Sequence, residues 1–254
     1  MTDTHQLNLT DPWENGMNIT NKTVLITGGS RGIGRALVEE ALRRGASRVY
    51  AGTRGTLRHA DARVTPVTMD VTNTAQIEAA VEQVDSLDVL INNAGVAIYD
   101  DLRSPDLLEQ HLAVNLLGAL KVTQAFLPLL LGAKGAIVNN LSMAALAALP
   151  ILPAYSVSKA AAFNMTQSLR AFLADQGVTV HAVILGPIDT DMNRGLDIPK
   201  ASAETAAQGI FDGLQRGEQD IFPDPVSQSI AEGWRTGALK ELERQFAAFL
   251  QHAA

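Results

Sequence analysis

The sequence predicts an α/β fold built on a doubly wound, seven-stranded, mostly parallel sheet with helices on both faces. Three observations predict it. Short apolar, β-branched runs alternate with segments that are apolar at helical spacing, the pattern of strands covered on both faces. The first strand-like run and the first helical one are joined by a glycine turn, Thr27-Gly28-Gly29-Ser30-Arg31-Gly32-Ile33-Gly34. No break in composition and no internal repeat divides the 254 residues, and 46% hydrophobic content over that length can bury one large core.

Residues 1–16 are polar and acidic and are expected to be a flexible N-terminal extension of a single domain, 17–254. They read as a mobile tail or as an upstream extension of a shorter start at Met17. The first strand is 23–26, and the helix that follows the glycines carries apolar residues through Leu42 and ends at Gly45. A second strand, 48–52, and a third, 65–69, are separated by a short, partly helical link. Asp70 to Thr72 opens a helix over 74–84, and the fourth strand, 87–91, ends in Asn92-Asn93-Ala94-Gly95. A long helix is expected over 105–131, then a strand of the buried type over 135–141, a small apolar loop and a helix over 155–174. A sixth strand covers 178–184. Ser202 reads as an N-cap, with Glu204 in the first turn of a helix to Leu214. A short seventh strand, 220–222, and an amphipathic helix, 239–251, complete the chain.

The formal net charge of −7 argues against a nucleic-acid partner, which calls for a basic face. With no cysteine there is no disulfide framework, no thiolate nucleophile and no thiolate zinc site. The five histidines are scattered without ligand spacing, so no metal is expected. The start of the chain lacks the apolar stretch of a signal peptide, and no apolar run is expected to reach membrane-spanning length, the longest, around 116–131, being interrupted by Gly118, Lys121, Thr123, Gln124 and Pro128. A cytoplasmic protein with no membrane partner is the expectation.

Strand, glycine turn and helix together suit a dinucleotide: small residues let the backbone approach a pyrophosphate, and the helix start offers free N–H groups and partial positive charge. The spacing here, Gly28, Gly32 and Gly34, leaves a plain strand-to-helix turn as the alternative. Ser142 follows the fifth strand, and Tyr155 and Lys159 stand four apart, on one face of a helix. An ammonium beside a phenol favours the phenolate and should lower its pKa, making Tyr155 a proton donor and acceptor near neutral pH. An exposed tyrosine beside a surface lysine is the other reading of that pair.

Thr27-Gly28-x-x-x-Gly32-x-Gly34, Asn92-Asn93-Ala94-Gly95, Asn115, Ser142, Tyr155-x-x-x-Lys159 and Gly186-Pro187-Ile188-Asp189-Thr190 stand in one order at mutually consistent spacings. In these the chain resembles the short-chain dehydrogenase/reductase family over about residues 20–223. The resemblance implies a Rossmann-type domain with Asn115, Ser142, Tyr155 and Lys159 as catalytic residues. Tyr155 would protonate the carbonyl oxygen. Lys159 would lower its pKa and hold the nicotinamide ribose, Ser142 would hydrogen-bond the substrate oxygen, and Asn115 would hold a water that relays protons to Lys159. Gly28, Ser30, Arg31, Gly32, Ile33 and Gly34 would bind the pyrophosphate side. Asp70 and Val71 would meet the adenine, with an ordinary helix N-cap as the alternative for Asp70. Asn92, Ala94 and Gly95 would line the adenosine-side floor, while Pro187, Ile188 and Thr190 would contact the carboxamide end. Two departures stand out. Leu185 replaces the proline usual before Gly186, and Asn140-Leu141 replaces the small hydroxyl residues common before the serine, a change expected to alter packing rather than remove chemistry.

No acidic residue lies at the end of the second strand, where Ala51-Gly52-Thr53-Arg54 stands. An acid there would bind the ribose hydroxyls of NAD. Arg31 and Arg54 match phosphate geometry instead, so NADPH/NADP+ is the expected cofactor, with NADH second. The apolar stretch 143–153 suggests a pocket for a small-molecule ketone, aldehyde or alcohol with an apolar part. Ala161, Phe163, Met165 and Phe172 read as an apolar outer set on the 155–174 helix, and a homodimer or homotetramer is expected. The function expected is that of a carbonyl reductase or alcohol dehydrogenase. A nucleotide-sensing regulator without turnover, or a dehydratase or epimerase on the same scaffold, is the alternative.

Overall fold

In the computed structural model, which describes residues 16–251 and side chains through 248, the first strand-turn-helix unit is β1 (Thr23–Thr27) and α1 (Gly32–Arg43). Next come β2 (Arg48–Thr53), β3 (Val64–Thr68), α2 (Thr74–Val81) and β4 (Val89–Asn92). A continuous helical run follows: α3 (Pro105–Leu112), a π-helical stretch (Ala113–Gly118) and α4 (Ala119–Ala133). Then come β5 (Ala136–Asn140), α5 (Pro153–Leu173), β6 (Thr179–Val183), α6 (Ala203–Gln215), β7 (Asp220–Ile221), α7 (Pro225–Arg235) and α8 (Ala238–Gln251). The strands pair in the order β3-β2-β1-β4-β5-β6-β7. Every pairing is parallel, so the sheet is wholly rather than mostly parallel. The strand order reverses between β1 and β4, and the crevice at the carboxyl ends of those strands is where such a sheet takes a ligand.

The strands are apolar on successive residues because both faces are covered. Ile26 and Val138 face one core with Leu37 of α1 and Ile210 and Phe211 of α6. Leu25 and Ile137 face another with Ile77 of α2 and Phe126 and Leu130 of α4. The expected extension falls outside the described residues except for Gly16. Met17 already belongs to the fold, its N–H donating to the Leu214 carbonyl at 3.1 Å and its side chain packing on the first core.

Two expectations, one alternative reading and one omission need correction. The run Pro105–Ala133 is, by length and composition, apolar enough to cross a membrane, contrary to the reading that none is. In this fold Val122, Phe126 and Leu130 lay one face of it against the sheet. Asp70 is not the cap of α2; Asn73 is, accepting from Gln76 N at 3.2 Å. The helix α7 lies in the stretch between 222 and 239, for which the sequence reading expected no element. It exists because Asp224 caps it in a reciprocal pair with Ser227. Phe163 is consequently not on an outer face: Trp234 of α7 packs edge-on against it, 5.5 Å between ring centroids. Phe172 does face outward, 61% exposed.

A buried ionic cluster ties the C-terminal helices to this frame. Arg170 of α5 and Lys240 of α8 both hold the Asp220 carboxylate, at 2.8 and 2.7 Å, and Glu243 pairs with both cations. Burial works against the charge on Asp220, but Arg170 and Lys240 together outweigh it and bring its pKa to about 2.

Candidate active site

The glycine turn is forced by close approach. Gly28 and Gly32 adopt φ of +68° and +52°, in the left-handed region. A Cβ on Gly34 would stand 2.0 Å from the Gly28 carbonyl oxygen, so α1 can pack onto the end of β1 only through a glycine. No side chain caps α1, and Ser30, Arg31 and Gly32 are exposed. Its first N–H groups and positive end are therefore open to an anion. Asn93 braces the turn from below, its Nδ2 donating to the carbonyls of Thr27 at 2.9 Å and Gly28 at 3.3 Å.

On the far side of the turn, Asp70 Oδ1 accepts from Thr72 N at 2.9 Å and from Thr72 Oγ1 at 2.7 Å. These bonds, helped by the charge of Arg54, hold the Asp70 carboxyl below its ordinary range. Val71 beside it is buried. Arg54 is exposed and lines a shallow pocket with Thr53, Gly55 and Thr68. A larger cleft opens between α1 and the β2–β3 link, lined in part by Ser30, Arg35, Glu39, Arg58, His59 and Asp61. Its acids are paired, Glu39 with His59 and Asp61 with Arg63, while Arg31, Arg35, Arg54 and Arg58 form no ion pair among the described residues. Sequence reasoning missed Arg35 and Arg58; a helix surface and a link without periodicity carry no signal of facing each other.

The three polar residues singled out around β5 and α5 come together. The Ser142 hydroxyl is near enough to the Tyr155 phenol to favour its ionised form, and Lys159 Nζ lies 5.7 Å from the centroid of the Tyr155 ring. Pro153 starts α5, where its missing N–H is no loss, and Asp100, from the loop after β4, accepts from Ala154 N at 3.2 Å. Lys159 is buried, and its Nζ donates to the Asn140 carbonyl at 2.7 Å. Burial lowers its pKa to about 8. The expected lowering of the phenol by this lysine is not met. Burial pushes the Tyr155 phenol up, and the nearby Ser142 hydroxyl offsets only part of that. A phenolate stripped of water here loses more than one hydroxyl returns to it.

Asn115 sits in the π-helical stretch, a recurrent signature of a functional position. Its Nδ2 donates to the Val96 carbonyl and to Ser158 Oγ, both at 2.9 Å, and its Oδ1 accepts from Val96 N at 2.9 Å. A Cβ added at Gly95 would lie 3.2 Å from Asn115 Oδ1 and 3.9 Å from Lys159 Nζ, so this loop runs between the two. His111, which carried no spacing signal, is fully buried with its ring 6.3 Å from that of Tyr155. Ile98 N donates to its Nε2 at 3.0 Å, which places the ring proton on Nδ1, donated to Leu107 O at 2.7 Å.

Asn140 does more than alter packing. Its Nδ2 donates to Asn93 Oδ1 at 2.9 Å, joining β5 to the glycine turn. Below it Asn92 donates to Thr123 and Asn139, and Asn139 to Thr166. The Oδ1 atoms of Asn92 and Asn140 are buried without a partner. After β6, Ile188 is buried and bridges Ala201, its carbonyl accepting from Asn193 Nδ2 at 2.8 Å. The Thr190 methyl lies 3.3 Å from where a Cβ on Gly32 would stand, so this loop reaches the glycine turn. Three loops at the strand carboxyl ends expose apolar side chains here: Ile98 and Tyr99, Leu149 and Ile151, Met192 and Ile198. Among the described residues no group of three or more His, Cys, Asp or Glu is placed to hold a metal ion.

The family model described as short chain dehydrogenase matches residues 22–200. The chain is 36% identical over 202 residues to the short chain dehydrogenase pigC of Monascus ruber, covering 71% of this chain and 67% of that one. It spans about two thirds of the length of three curated fungal relatives that it matches. Among solved structures it is similar to a short chain dehydrogenase of Burkholderia cenocepacia J2315 in complex with NADP, with a TM-score of 0.82, 36% identity and coverage of 90% of this chain and 98% of that one. A short chain dehydrogenase/reductase of Burkholderia phymatum in complex with NAD shares the fold, with a TM-score of 0.77 at 24% identity, covering 90% and 96%.

Proposed function

The chain belongs to the short-chain dehydrogenase family, and from that premise we propose that it is an NADP(H)-dependent oxidoreductase interconverting a ketone or aldehyde with its alcohol. The observation that carries this reading is the meeting of Ser142, Tyr155 and Lys159 beside the end of β5, next to an uncapped helix start on close-packed glycines. The cradle at Gly28, Gly32 and Gly34 fits the pyrophosphate of a dinucleotide, which needs backbone N–H groups and no side chain in the way. When bound, the nicotinamide supplies or takes up the hydride.

The chain's own groups manage the proton. The hydroxyls of Ser142 and Tyr155 would hold the substrate oxygen. With its phenol pushed up by burial, Tyr155 is fully protonated at neutral pH, the state an acid needs, and it would give that proton to the oxygen in reduction and take it back in oxidation. The Lys159 ammonium stands close enough to stabilise the phenolate left behind. Both ends of the Asn115 carboxamide are already bonded, so Asn115 would brace the loop beside Lys159.

The exposed Arg31 and Arg54 and the lack of an acid at the end of β2 favour NADP(H) over NAD(H). The apolar side chains of the three loops favour a substrate with an apolar part. Leu117, Val157 and Phe172 leave an apolar face on the 113–133 helical run and α5 that suits a second copy of the chain, giving a homodimer or homotetramer.

The test is oxidation of NADPH and of NADH across a panel of ketones and aldehydes, with Tyr155→Phe as control. Turnover with NADPH that the substitution abolishes is the expected result. Tight NADPH binding with no turnover on any compound would overturn the reading in favour of a nucleotide sensor.

A further inference from the structure

The loop that follows β6 is held at its root by a side chain from the far end of the chain. Asp224, fully buried, accepts at Oδ2 from Gly186 N at 2.8 Å and from Ser227 Oγ at 2.7 Å. Its Oδ1 accepts from Val226 N and Ser227 N, both at 3.1 Å, capping α7. One carboxylate therefore does two separable things: one oxygen caps a helix, and the other receives a backbone N–H from Gly186 across 38 residues. The contact also explains why residue 186 is glycine. Its φ is not in the left-handed region, but a Cβ there would stand 2.5 Å from Asp224 Oδ1 and 3.0 Å from the Val226 Cβ.

Gly186 is the first fixed point of a short loop whose others are main-chain bonds to Ala201: Ala201 N to the Pro187 carbonyl at 3.0 Å, and Asp189 N to the Ala201 carbonyl at 2.8 Å. Beyond them Thr190 reaches the glycine turn at Gly32. A shift at Gly186 would thus move Pro187, Ile188 and Thr190 while leaving Gly28, Arg31 and Arg54 in place.

We propose that Asp224 is a positioning residue for the nicotinamide half of the cofactor groove, acting through the N–H of Gly186 on the loop that carries Ile188 and Thr190. The inference rests on the reading of this groove as a nicotinamide dinucleotide site. It adds that the C-terminal segment, through the start of α7, sets how well the nicotinamide half is held, independently of the adenosine half.

The test separates the halves by calorimetric titration of the full chain with NADPH and with adenosine 2′,5′-bisphosphate, which lacks the nicotinamide. Asp224→Ser keeps a good N-cap for α7 but is too short to reach Gly186. Asp224→Asn keeps the reach with a single acceptor oxygen. NADPH affinity is expected to fall on the order of tenfold in Asp224→Ser, the scale of losing one charge-assisted buried hydrogen bond, with the fragment's affinity unchanged within about twofold. Asp224→Asn should fall between. Gly186→Ala attacks the same contact from the loop side and should show the same split, which keeps the test sound if α7 unravels in the Asp224 variants. Equal losses for NADPH and fragment, or no loss for either, would overturn the proposal. A wild-type chain that binds NADH in preference defeats the NADP reading alone, and the same split is then read with NADH and ADP-ribose. A wild-type chain that binds no nicotinamide dinucleotide defeats both.

Discussion

Lys159 Nζ donates to the main-chain carbonyl of Asn140 at 2.7 Å, so the ammonium is tied to the end of β5 and to the strand whose side chain braces the glycine turn through Asn93. Burial has brought its pKa to about 8, below the ordinary lysine value. The ammonium persists below that pH and is lost above it. With NADPH and a carbonyl substrate, kcat/KM should hold to about pH 7 and fall as pH rises through about 8. Lys159→Met should abolish that inflection and lower kcat/KM at pH 7 by about a hundredfold. An unchanged inflection in the variant would assign it to another group. Stability should respond in the opposite sense. Burying the ammonium costs most below pH 8, and that cost is relieved between about 8 and 10.5, where the unfolded chain keeps the proton that the folded one has lost.

Tyr155→Phe should reduce kcat by about a thousandfold and Ser142→Ala by about a hundredfold, in the range of lost general-acid and oxyanion-holding groups. The phenylalanine variant should be no less stable to heat, because it keeps the ring and its packing and removes only a neutral hydroxyl. Steady-state kinetics beside melting curves would check both, and more than a tenth of wild-type activity in Tyr155→Phe would remove Tyr155 from the proton path.

Arg54 is exposed, and its charge helps hold the Asp70 carboxyl below its ordinary range. Arg54→Asp is expected to lower the ratio of kcat/KM for NADPH over NADH by about tenfold or more, since on the proposed reading a carboxylate there would repel the 2′-phosphate that the arginine attracts. An unchanged ratio would shift the assignment to Arg31 or to the Arg35–Arg58 cleft.

His181 is buried in β6, and burial lowers its pKa to about 4. Between about pH 6.5 and 4 the unfolded chain takes up a proton that the folded one refuses, so stability should fall as pH falls through that window. The loss amounts to about 2–3 kcal/mol between pH 7 and 4.5. Urea unfolding at the two pH values measures it, and His181→Gln should lose clearly less.

Phe172 and Val157 are exposed on α5 at 61% and 45%. Light scattering at micromolar concentration should give a dimer or tetramer for the wild-type chain and a smaller species for Phe172→Glu. A wild-type monomer would contradict the proposed assembly.

Much of the fold was legible because it rests on local constraints. Leu25 and Ile26 point into opposite cores, so β1 is apolar on successive residues from Val24 to Ile26, as β4 is from Val89 to Ile91 and β5 from Ala136 to Val138. Gly34 is demanded by a 2.0 Å approach that no other residue survives. Tyr155 and Lys159 were legible because four residues on a helix is a fixed geometry. The π-helical stretch that carries Asn115 was not, since its residues read as ordinary apolar helix and the partners of Asn115, Val96 and Ser158, lie far from it along the chain. Nor was α7, whose cap at Asp224 sits between two prolines and gains its second partner, Gly186, only through the fold.

The sequence by itself determined the alternation of strands and helices, the glycine turn and the identity and spacing of Ser142, Tyr155 and Lys159, because each of these is written in neighbours along the chain. The tertiary structure alone decided the direction in which Tyr155 and Lys159 titrate, because desolvation depends on what packs around a group and not on what precedes it. It also decided that Phe163 is covered by Trp234, and that Asp224 and Gly186, remote in sequence, share one hydrogen bond.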